Sequence, residues 1–186
     1  MIITGAPVEQ LAFEEVDYWD ELVGIMDYAK KHVHATLYIC WGAQAGLYHH
    51  YGIPKYGLPH KLSGIFSHTI NDPTNQLFRG FDDVFHAPHS RHTEVRGEDI
   101  AKIPTLEILA ESDEAGVLVA GTLDGRSMFI TGHLEYDRDT LDAEYRRDVA
   151  KGMEIAPPAH YYPGDDVTRP RWSAGGHMPI CSIPTG

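Results

Sequence analysis

Short apolar runs and amphipathic segments alternate over the first fifty residues of the chain. Residues 1–4 (Met-Ile-Ile-Thr) predict a buried strand, and residues 35–39 predict a second one. Between them, apolar side chains recur at three- and four-residue spacing, which predicts an amphipathic helix over residues 16–31. Residues 42–50 predict another helix directly after the second strand. This alternation predicts a βαβ unit with parallel strands.

The remainder of the chain predicts a long irregular stretch, followed by short strands and one helix. Gly and Pro residues predict a loop over residues 52–61, with a strand over 62–68 leaving it, and residues 71–105 show little periodicity. The later elements are strands over residues 106–110, 116–121 and 127–131 and a helix over 139–152. Asp124-Gly125 predicts a hairpin turn between the last two strands.

Composition excludes several classes of partner. The net charge of −12 disfavours nucleic acid and anionic membranes, which bind clusters of Lys and Arg. No apolar run approaches the roughly 20 residues that a membrane-spanning helix needs. The N-terminus lacks the features of a signal peptide. Two distant cysteines form no disulfide framework, so we expect a cytoplasmic protein with reduced thiols.

Cys40 ends the second predicted strand and is followed at once by small residues. Gly42, Ala43 and Gly46 open the next predicted helix, as in a nucleophile elbow, where a sharp strand-to-helix turn exposes the nucleophile and leaves no room for bulky neighbours. The free N–H groups of a helix N-terminus favour a thiolate. The alternative for Cys40 alone is a buried, unreactive thiol, which is the commoner fate of cysteine.

His133 and Glu135 provide the partners that a cysteine nucleophile needs. His133 follows the strand predicted over residues 127–131, and Glu135 lies two residues further along the chain. Ligands of open α/β sheets collect at such strand ends. A histidine takes the thiol proton, and a carboxylate fixes its tautomer and stabilises the imidazolium. Together with the elbow, the pair predicts nucleophilic catalysis.

A second cluster of histidines, His86, His89 and His92, suggests a metal site as a competing interpretation. Their three-residue spacing in a segment interrupted by Pro88 matches no standard zinc pattern, and no Cys or carboxylate ligand follows closely. We therefore expect no metal at these residues.

Several motifs in one order make the chain, from residue 1 to about 166, resemble the homoserine O-acyltransferase family of methionine biosynthesis. They are Ile3-Thr4-Gly5-Ala6-Pro7, Cys40-Trp41-x-x-Gln44-Ala45, Tyr51-Gly52-Ile53-Pro54-Lys55, Lys61-Leu62-Ser63-Gly64, Gly80-Phe81-Asp82-Asp83, Ala87-Pro88-His89-Ser90-Arg91 and Gly132-His133-x-Glu135-Tyr136-Asp137. The resemblance implies an α/β fold of the class I glutamine-amidotransferase-like (flavodoxin-like) type. That fold has a mostly parallel sheet with helices on both faces.

The resemblance also assigns roles to individual residues. It implies that Cys40 is the acyl-thioester nucleophile, that His133 is the proton acceptor and that Glu135 is its partner. It places Lys61, Ser90 and Arg147 at substrate-binding positions, and a guanidinium such as that of Arg147 suits the carboxylate of homoserine. Without the resemblance, these last three would be interpreted as an exposed lysine, a turn serine and a solvent-facing arginine.

The loop that follows the first strand is expected to determine the acyl donor, and this loop and the elbow are expected to stabilise the oxyanion. In the family, a glutamate at the position of Glu9 accompanies acetyl-CoA and a glycine accompanies succinyl-CoA. A carboxylate there repels the succinyl carboxylate, so we expect acetyl-CoA as the donor. The backbone N–H of Trp41 is the expected first oxyanion donor, with a second from the loop after Pro7.

The interpretation is therefore a homoserine O-acetyltransferase that uses a cysteine thioester and needs no cofactor beyond its co-substrate acetyl-CoA. Its expected partners are homoserine and acyl-CoA, without nucleic acid or membrane, in a homodimer such as the family forms. The alternatives are succinyl-CoA as donor, a cysteine hydrolase or glutaminase that uses water, and an inactive truncated remnant.

The two ends of the chain depart from the family pattern. The resemblance implies a long N-terminal segment upstream of residue 1 that supplies central strands, so we expect a truncated core in a partial acyltransferase domain over residues 1–166. Residues 167–186 are expected to form an irregular tail. A back-translation shifted by two bases restores a family-like ending, so we interpret the tail as out of frame and Cys181 as without a role.

Overall fold

The computed structural model describes residues 1–168 of the chain, which form seven strands, four α-helices and three short 3-10 turns. The strands are β1 (Ile2–Ile3), β2 (Thr36–Ile39), β3 (Tyr56–Ile70), β4 (Val84–Glu94), β5 (Leu106–Ser112), β6 (Gly116–Thr122) and β7 (Ser127–Ile130). The helices are α1 (Trp19–His32), α2 (Trp41–Tyr51), α3 (Gly97–Ile100) and α4 (Thr140–Ala150), and the 3-10 turns are Phe13–Glu15, Gln76–Phe78 and Pro163–Asp165. Residues 169–186, which include Cys181 and nearly all of the predicted tail, lie outside the described part.

One mixed sheet contains all seven strands in the order β1-β2-β7-β6-β5-β3-β4. Strands β1, β2 and β7 are parallel neighbours, whereas every other neighbouring pair is antiparallel. The expectation of a mostly parallel sheet is therefore wrong for the described residues. Short connections such as the hairpin turn at Gly125, whose φ is +69°, force neighbouring strands to run in opposite directions.

The two faces of the sheet are covered differently. Alternate residues of the central strands enter two hydrophobic clusters, as shown by Phe129 in the first and Ile130 in the second. The first cluster includes residues of α1, α2 and α3, whereas the second contains no α-helical residue among those described. Helix α4 packs apart from both, through Leu141 in a third cluster with Tyr161 and Tyr162. In the second cluster Phe78, Phe85 and their neighbours supply the covering aromatic rings.

Two segments predicted to be irregular are in fact strands. Strand β3 begins at Tyr56, inside the predicted loop, and β4 occupies residues predicted to lack regular structure. Both strands contain residues that are typical of turns, such as Gly57, Pro59 and Pro88, and these residues led to the prediction of irregular structure. Pro88 is tolerated because β4 pairs with β3 alone and is an edge strand, so its missing N–H removes little from the sheet.

The three parallel strands bring their carboxyl ends to one edge of the sheet. The loop after β1 begins at Thr4, Cys40 follows β2 directly, and His133 lies shortly after β7. Parallel strands therefore deliver the predicted nucleophile and the predicted base to the same place. Among residues 1–168, no helix has the length and apolarity required to cross a membrane.

Candidate active site

Cys40 occupies the strained turn that the sequence predicts. Its φ of +53° lies in the left-handed region that L-residues rarely adopt, and its N–H donates to the carbonyl of Ile130 at 2.7 Å. The residues that follow Cys40 must be small because other parts of the chain approach them closely. A Cβ on Gly42 would lie 2.6 Å from the carbonyl oxygen of Ile3, and one on Gly46 would lie 2.8 Å from the ring of Tyr38. The elbow is thus packed tightly against β1 and β2.

His133 is held between β4 and Glu135. Its backbone N–H donates to the carbonyl of Pro88 at 2.9 Å, and its Nδ1–H donates to Glu135 Oε1 at 2.7 Å. The ring of Tyr136 stacks on the imidazole, with 4.1 Å between ring centroids. Because Glu135 engages Nδ1, the Nε2 atom is the ring nitrogen that remains for proton exchange.

The charge state of His133 depends on Cys40. Burial disfavours the imidazolium, but the hydrogen bond to Cys40, the hydrogen bond to Glu135 and the negative charges of both groups outweigh it, so the pKa of His133 is raised well above its ordinary value. An imidazolium beside a thiolate is the resting ion pair of many cysteine nucleophiles. The structure therefore brings together all three residues of the predicted triad.

A cavity of about 700 Å³ opens in front of Cys40 and His133. Three predicted substrate residues, Lys61, Ser90 and Arg147, line it together with Glu9. The loop from Thr4 to Leu11 forms another wall. Residues that lie up to 149 positions apart in the sequence therefore share one site, at the edge where the parallel strands end.

Both predicted cations of the cavity are paired with the single carboxylate of Asp148. Lys61 Nζ donates to Asp148 Oδ2 at 3.0 Å, and Arg147 Nε donates to Asp148 Oδ1 at 2.7 Å. The hydrogen bond from Arg147, with support from Lys61, holds the pKa of Asp148 down at about 2. The Arg147 side chain is 53% exposed, and its terminal nitrogens make no hydrogen bond within the described residues, so they can reach a substrate carboxylate.

Glu144 connects Ser90 to the ring beside His133. Ser90 Oγ donates to Glu144 Oε2 at 2.5 Å, and Tyr136 OH donates to Glu144 Oε1 at 2.9 Å. Burial and the Glu144 carboxylate raise the pKa of Tyr136, so its hydroxyl stays protonated as a donor. The cavity therefore presents carboxylates as well as cations to a small substrate.

Sequence reasoning missed Glu144, Asp148 and the role of Tyr136. Glu144, Arg147 and Asp148 stand three and four residues apart on α4, and this spacing places them on one helical face. A charged helical face of this kind is usually exposed to solvent, so the spacing alone does not assign a function to these residues. The partners of the face, Lys61 and Ser90, lie on β3 and β4, far away in the sequence.

An irregularity in the β3–β4 pairing holds Glu9 in the cavity wall. The register jumps from Gly57 opposite Thr93 to Leu62 opposite Arg91, so His92 alone faces four residues of β3. The N–H of His92 then donates to Glu9 Oε2 at 2.9 Å, and Thr93 Oγ1 donates to the same atom at 3.3 Å. The Glu9 carboxylate is thus fixed in place and faces the cavity that contains Cys40.

The expected oxyanion donor Trp41 opens helix α2, and its backbone N–H has no acceptor among the described residues. Gly5 lies close by, because a Cβ on Gly5 would come within 3.1 Å of Cys40 Cβ and 3.6 Å of the Trp41 nitrogen. The glycine therefore keeps space open beside the nucleophile, where an acyl oxygen would have to lie.

The three histidines considered as a metal site are divided by strand alternation. His89 is fully buried on one face of β4, with its Nε2 atom 3.0 Å from that of His68, whereas His86 and His92 lie on the opposite face. Burial, reinforced by the charge of Arg91, lowers the pKa of His89, so its ring stays neutral. These three side chains therefore do not converge on one point.

The comparison with protein families matches residues 1–178 to the family described as homoserine O-succinyltransferase. A protein named homoserine O-acetyltransferase from Desulfovibrio desulfuricans is 59% identical over 185 residues, which is 98% of this chain and 59% of that protein. The protein of the same name from Brevibacillus brevis is 62% identical over 169 residues, covering 91% of this chain and 55% of that protein. This chain thus spans between half and two thirds of the length of these relatives.

Among solved structures, a glutamine amidotransferase from Thermotoga maritima aligns with a TM-score of 0.64 at 16% identity, covering 82% of this chain and 66% of that one. The glutaminase domain of a Trypanosoma brucei protein aligns at 0.57 and 12% identity, covering 84% and 72%. At such identities the likeness concerns the fold alone. It confirms the expected class I glutamine-amidotransferase-like α/β fold.

Proposed function

This chain belongs to the homoserine O-succinyltransferase family, and from that premise we propose that it transfers an acetyl group from acetyl-CoA to the hydroxyl of L-homoserine. The observation that supports the reaction is the placement of Cys40 and His133, the latter hydrogen-bonded to Glu135, at the wall of one cavity that Lys61 and Arg147 also line. A nucleophile, a base and cations for a small anion are the components that this transfer requires.

In the first half-reaction, the Cys40 thiolate attacks the carbonyl carbon of the acetyl thioester. The bond between that carbon and the CoA sulfur breaks, and the His133 imidazolium gives its proton to the departing CoA thiolate. The Trp41 N–H and a second N–H of the loop after Pro7 receive the negative oxygen that forms in between. Cys40 then carries the acetyl group.

In the second half-reaction, the homoserine hydroxyl attacks the Cys40 thioester. Neutral His133 removes the hydroxyl proton, and Glu135 stabilises the resulting imidazolium through the 2.7 Å hydrogen bond to Nδ1. The bond between the acetyl carbon and the Cys40 sulfur breaks, which releases O-acetylhomoserine and restores the ion pair. His133 thus serves as acid and as base in turn.

The charged face of α4 recognises the amino-acid part of homoserine in this proposal. Arg147 binds the carboxylate through its terminal nitrogens, while Asp148 holds the guanidinium in position through Nε. Lys61, which is bound to the same Asp148 carboxylate, adds positive charge beside Arg147, and the Ser90 hydroxyl offers a hydrogen bond. The site then places the substrate hydroxyl near His133.

Glu9 selects the acetyl donor. Its carboxylate is fixed by His92 and Thr93 at the wall of the cavity, so a succinyl group would bring a second carboxylate close to a negative charge that cannot move away. An acetyl group carries no charge and avoids this repulsion.

A cysteine hydrolase is the second candidate, supported by the fold shared with glutaminases and by the same three residues. Water would then replace homoserine in the second half-reaction. The cations of the cavity, Lys61 and Arg147, favour the transferase, because a hydrolase needs no site for the carboxylate of an acceptor.

The product distinguishes the two functions. We expect this chain, incubated with acetyl-CoA and homoserine, to form O-acetylhomoserine, detected by chromatography and mass spectrometry, and Cys40→Ala to form none. Release of free acetate at the same rate with and without homoserine would show a hydrolase. Formation of neither product would show that the described residues do not suffice for catalysis.

A further inference from the structure

A second groove of about 460 Å³ adjoins the catalytic cavity. The two share one wall, which consists of Glu9, Gln10, Leu11 and His92. The groove continues from this wall to Gly57 and Leu58 at the start of β3. A path therefore leads along the sheet edge from β3 to the nucleophile, past the fixed Glu9 carboxylate.

The groove follows the break in the β3–β4 ladder. Residues 58–61 have no partner in any strand of the described residues, because β4 supplies only His92 opposite them. The Glu9 carboxylate takes the N–H of His92 that would otherwise face β3. Of these residues, Leu58 lines the groove and Lys61 lines the catalytic cavity, so the stretch of β3 without strand partners runs from one to the other. An extended ligand with amide groups can pair with the backbone of Leu58 at the groove end of this stretch.

Lys55 holds the shared wall of the groove in place. Its ammonium donates to the carbonyls of Glu9 and Leu11, each at 2.6 Å, and lies 4.4 Å from the centroid of the Phe13 ring. Burial lowers the pKa of Lys55, which fits a cation that binds backbone oxygens instead of a carboxylate. The loop that separates the groove from the cavity is therefore fixed before any ligand arrives.

We propose that this groove binds the pantetheine arm of acyl-CoA. This assignment rests on the proposed function, since only an acyl-CoA donor has such an arm. The arm is narrow and extended, and it carries two amides among apolar groups, which match the unpaired backbone of β3 and the side chains of Leu11 and Leu58. Its thioester end meets the shared wall and reaches Cys40, while the homoserine side of the cavity stays free.

Two glycines allow a matched test of the groove. A Cβ on Gly57, which lines the groove, or on Gly24, on the exposed side of α1, meets no atom within 4 Å, and neither φ lies in the left-handed region. Gly57→Trp therefore adds bulk at the wall of the groove without displacing an atom near its Cβ, while Gly24→Trp adds the same bulk elsewhere. Leu58→Trp adds bulk at the neighbouring groove residue as a second blocking variant.

The measurement compares acylation of Cys40 by acetyl-CoA with acylation by p-nitrophenyl acetate, a small ester that needs only the catalytic cavity. We expect Gly57→Trp or Leu58→Trp to slow the reaction with acetyl-CoA by about tenfold or more, because the binding energy of the remote arm is lost, and to leave the small ester unaffected. Gly24→Trp should match the unmodified chain with both reagents. Unchanged acetyl-CoA reactivity in both groove variants would overturn the proposal.

Calorimetric binding of free CoA separates this proposal from the proposed function. If the unmodified chain binds CoA and Gly57→Trp weakens binding about tenfold or more relative to Gly24→Trp, the groove is supported even where no acetyl transfer occurs. Equal CoA affinity in all variants overturns the groove and leaves the transferase standing. Failure of the unmodified chain to bind CoA overturns both.

Discussion

Backbone strain and a neighbouring positive charge coincide at Cys40. Its φ of +53° is unfavourable for a non-glycine residue, and the structure maintains it with the hydrogen bond to Ile130 and with the close approach of Gly42 to β1. The neighbouring imidazolium of His133 then stabilises the thiolate. At the scale of single residues, this account predicts the reactivity of one thiol and the choice of one donor.

Removal of His133 should make Cys40 less reactive near neutral pH. In a Cys181→Ala background, we expect His133→Ala to slow alkylation of Cys40 by iodoacetamide about tenfold or more at pH 6.5, because the stabilising positive charge is lost. His34→Ala, which changes an exposed histidine, is the control. An identical rate in His133→Ala and His34→Ala would contradict the ion pair.

Glu9 should set the preference between acyl donors. We expect Glu9→Gln and Glu9→Gly to raise the ratio of succinyl-CoA to acetyl-CoA reactivity about tenfold or more, because the repelling carboxylate is gone. The ratio is measured from the rates of Cys40 acylation by each donor. Glu14→Gln removes an exposed carboxylate near the same loop and should leave the ratio unchanged. An unchanged ratio in both Glu9 variants would disprove this assignment.

At the scale of elements, the β2–α2 turn could be predicted from sequence because its determinants lie within a dozen residues. An apolar strand, a cysteine and a series of small residues specify it, and the contacts at Gly42 and Gly46 explain why those residues are small. The β3–β4 pair could not be predicted, since Gly57, Pro59 and Pro88 look like loop residues. Its irregular register is specified by contacts with Glu9, a residue more than 80 positions away in the sequence.

A pair of glycine-to-alanine substitutions tests the packing of the elbow. Gly42→Ala would place its Cβ 2.6 Å and 2.8 Å from the carbonyls of Ile3 and Thr4, so we expect a loss of about 1–3 kcal/mol in the free energy of unfolding. Gly24→Ala lies on an exposed helix face with open space around it, and should gain about 0.5–1 kcal/mol from helix propensity. Urea denaturation measures both changes. Equal effects of the two variants would show that the elbow is not close-packed.

At the scale of the whole molecule, the fold class and the proximity of Cys40, His133 and Glu135 could be predicted from the sequence, but the pairing of the charged groups around them could not. Sequence reasoning brought Lys61, Ser90 and Arg147 to the cavity through a family resemblance alone. Glu144 and Asp148 become their hydrogen-bond partners only because α4 packs near β3 and β4, which the sequence does not reveal. The mixed sheet was missed for a related reason, because strand direction depends on how the later hairpins add to the βαβ unit.

The Asp148 network should give the molecule a defined response to acid. The pKa of Asp148 lies at about 2 in the folded chain against an ordinary 3.8, so its stabilising contribution is complete above pH 3.8 and is lost as the pH falls towards 2. We expect Asp148→Asn to lower the Tm clearly at pH 6 and much less at pH 2. Asp113→Asn, at an exposed turn, should change neither value. A pH-independent effect of Asp148→Asn would contradict the network.

The most direct test of the central claim is the intact mass of the chain after brief exposure to acetyl-CoA. The account predicts one added acetyl group, located on Cys40 by peptide mapping, that disappears when homoserine is added and never forms in Cys40→Ala. Cys181→Ala should label as the unmodified chain does. An acetyl group on another residue, or label on Cys40 that homoserine does not remove faster than buffer alone, would contradict the claim that Cys40 carries the acetyl group to homoserine.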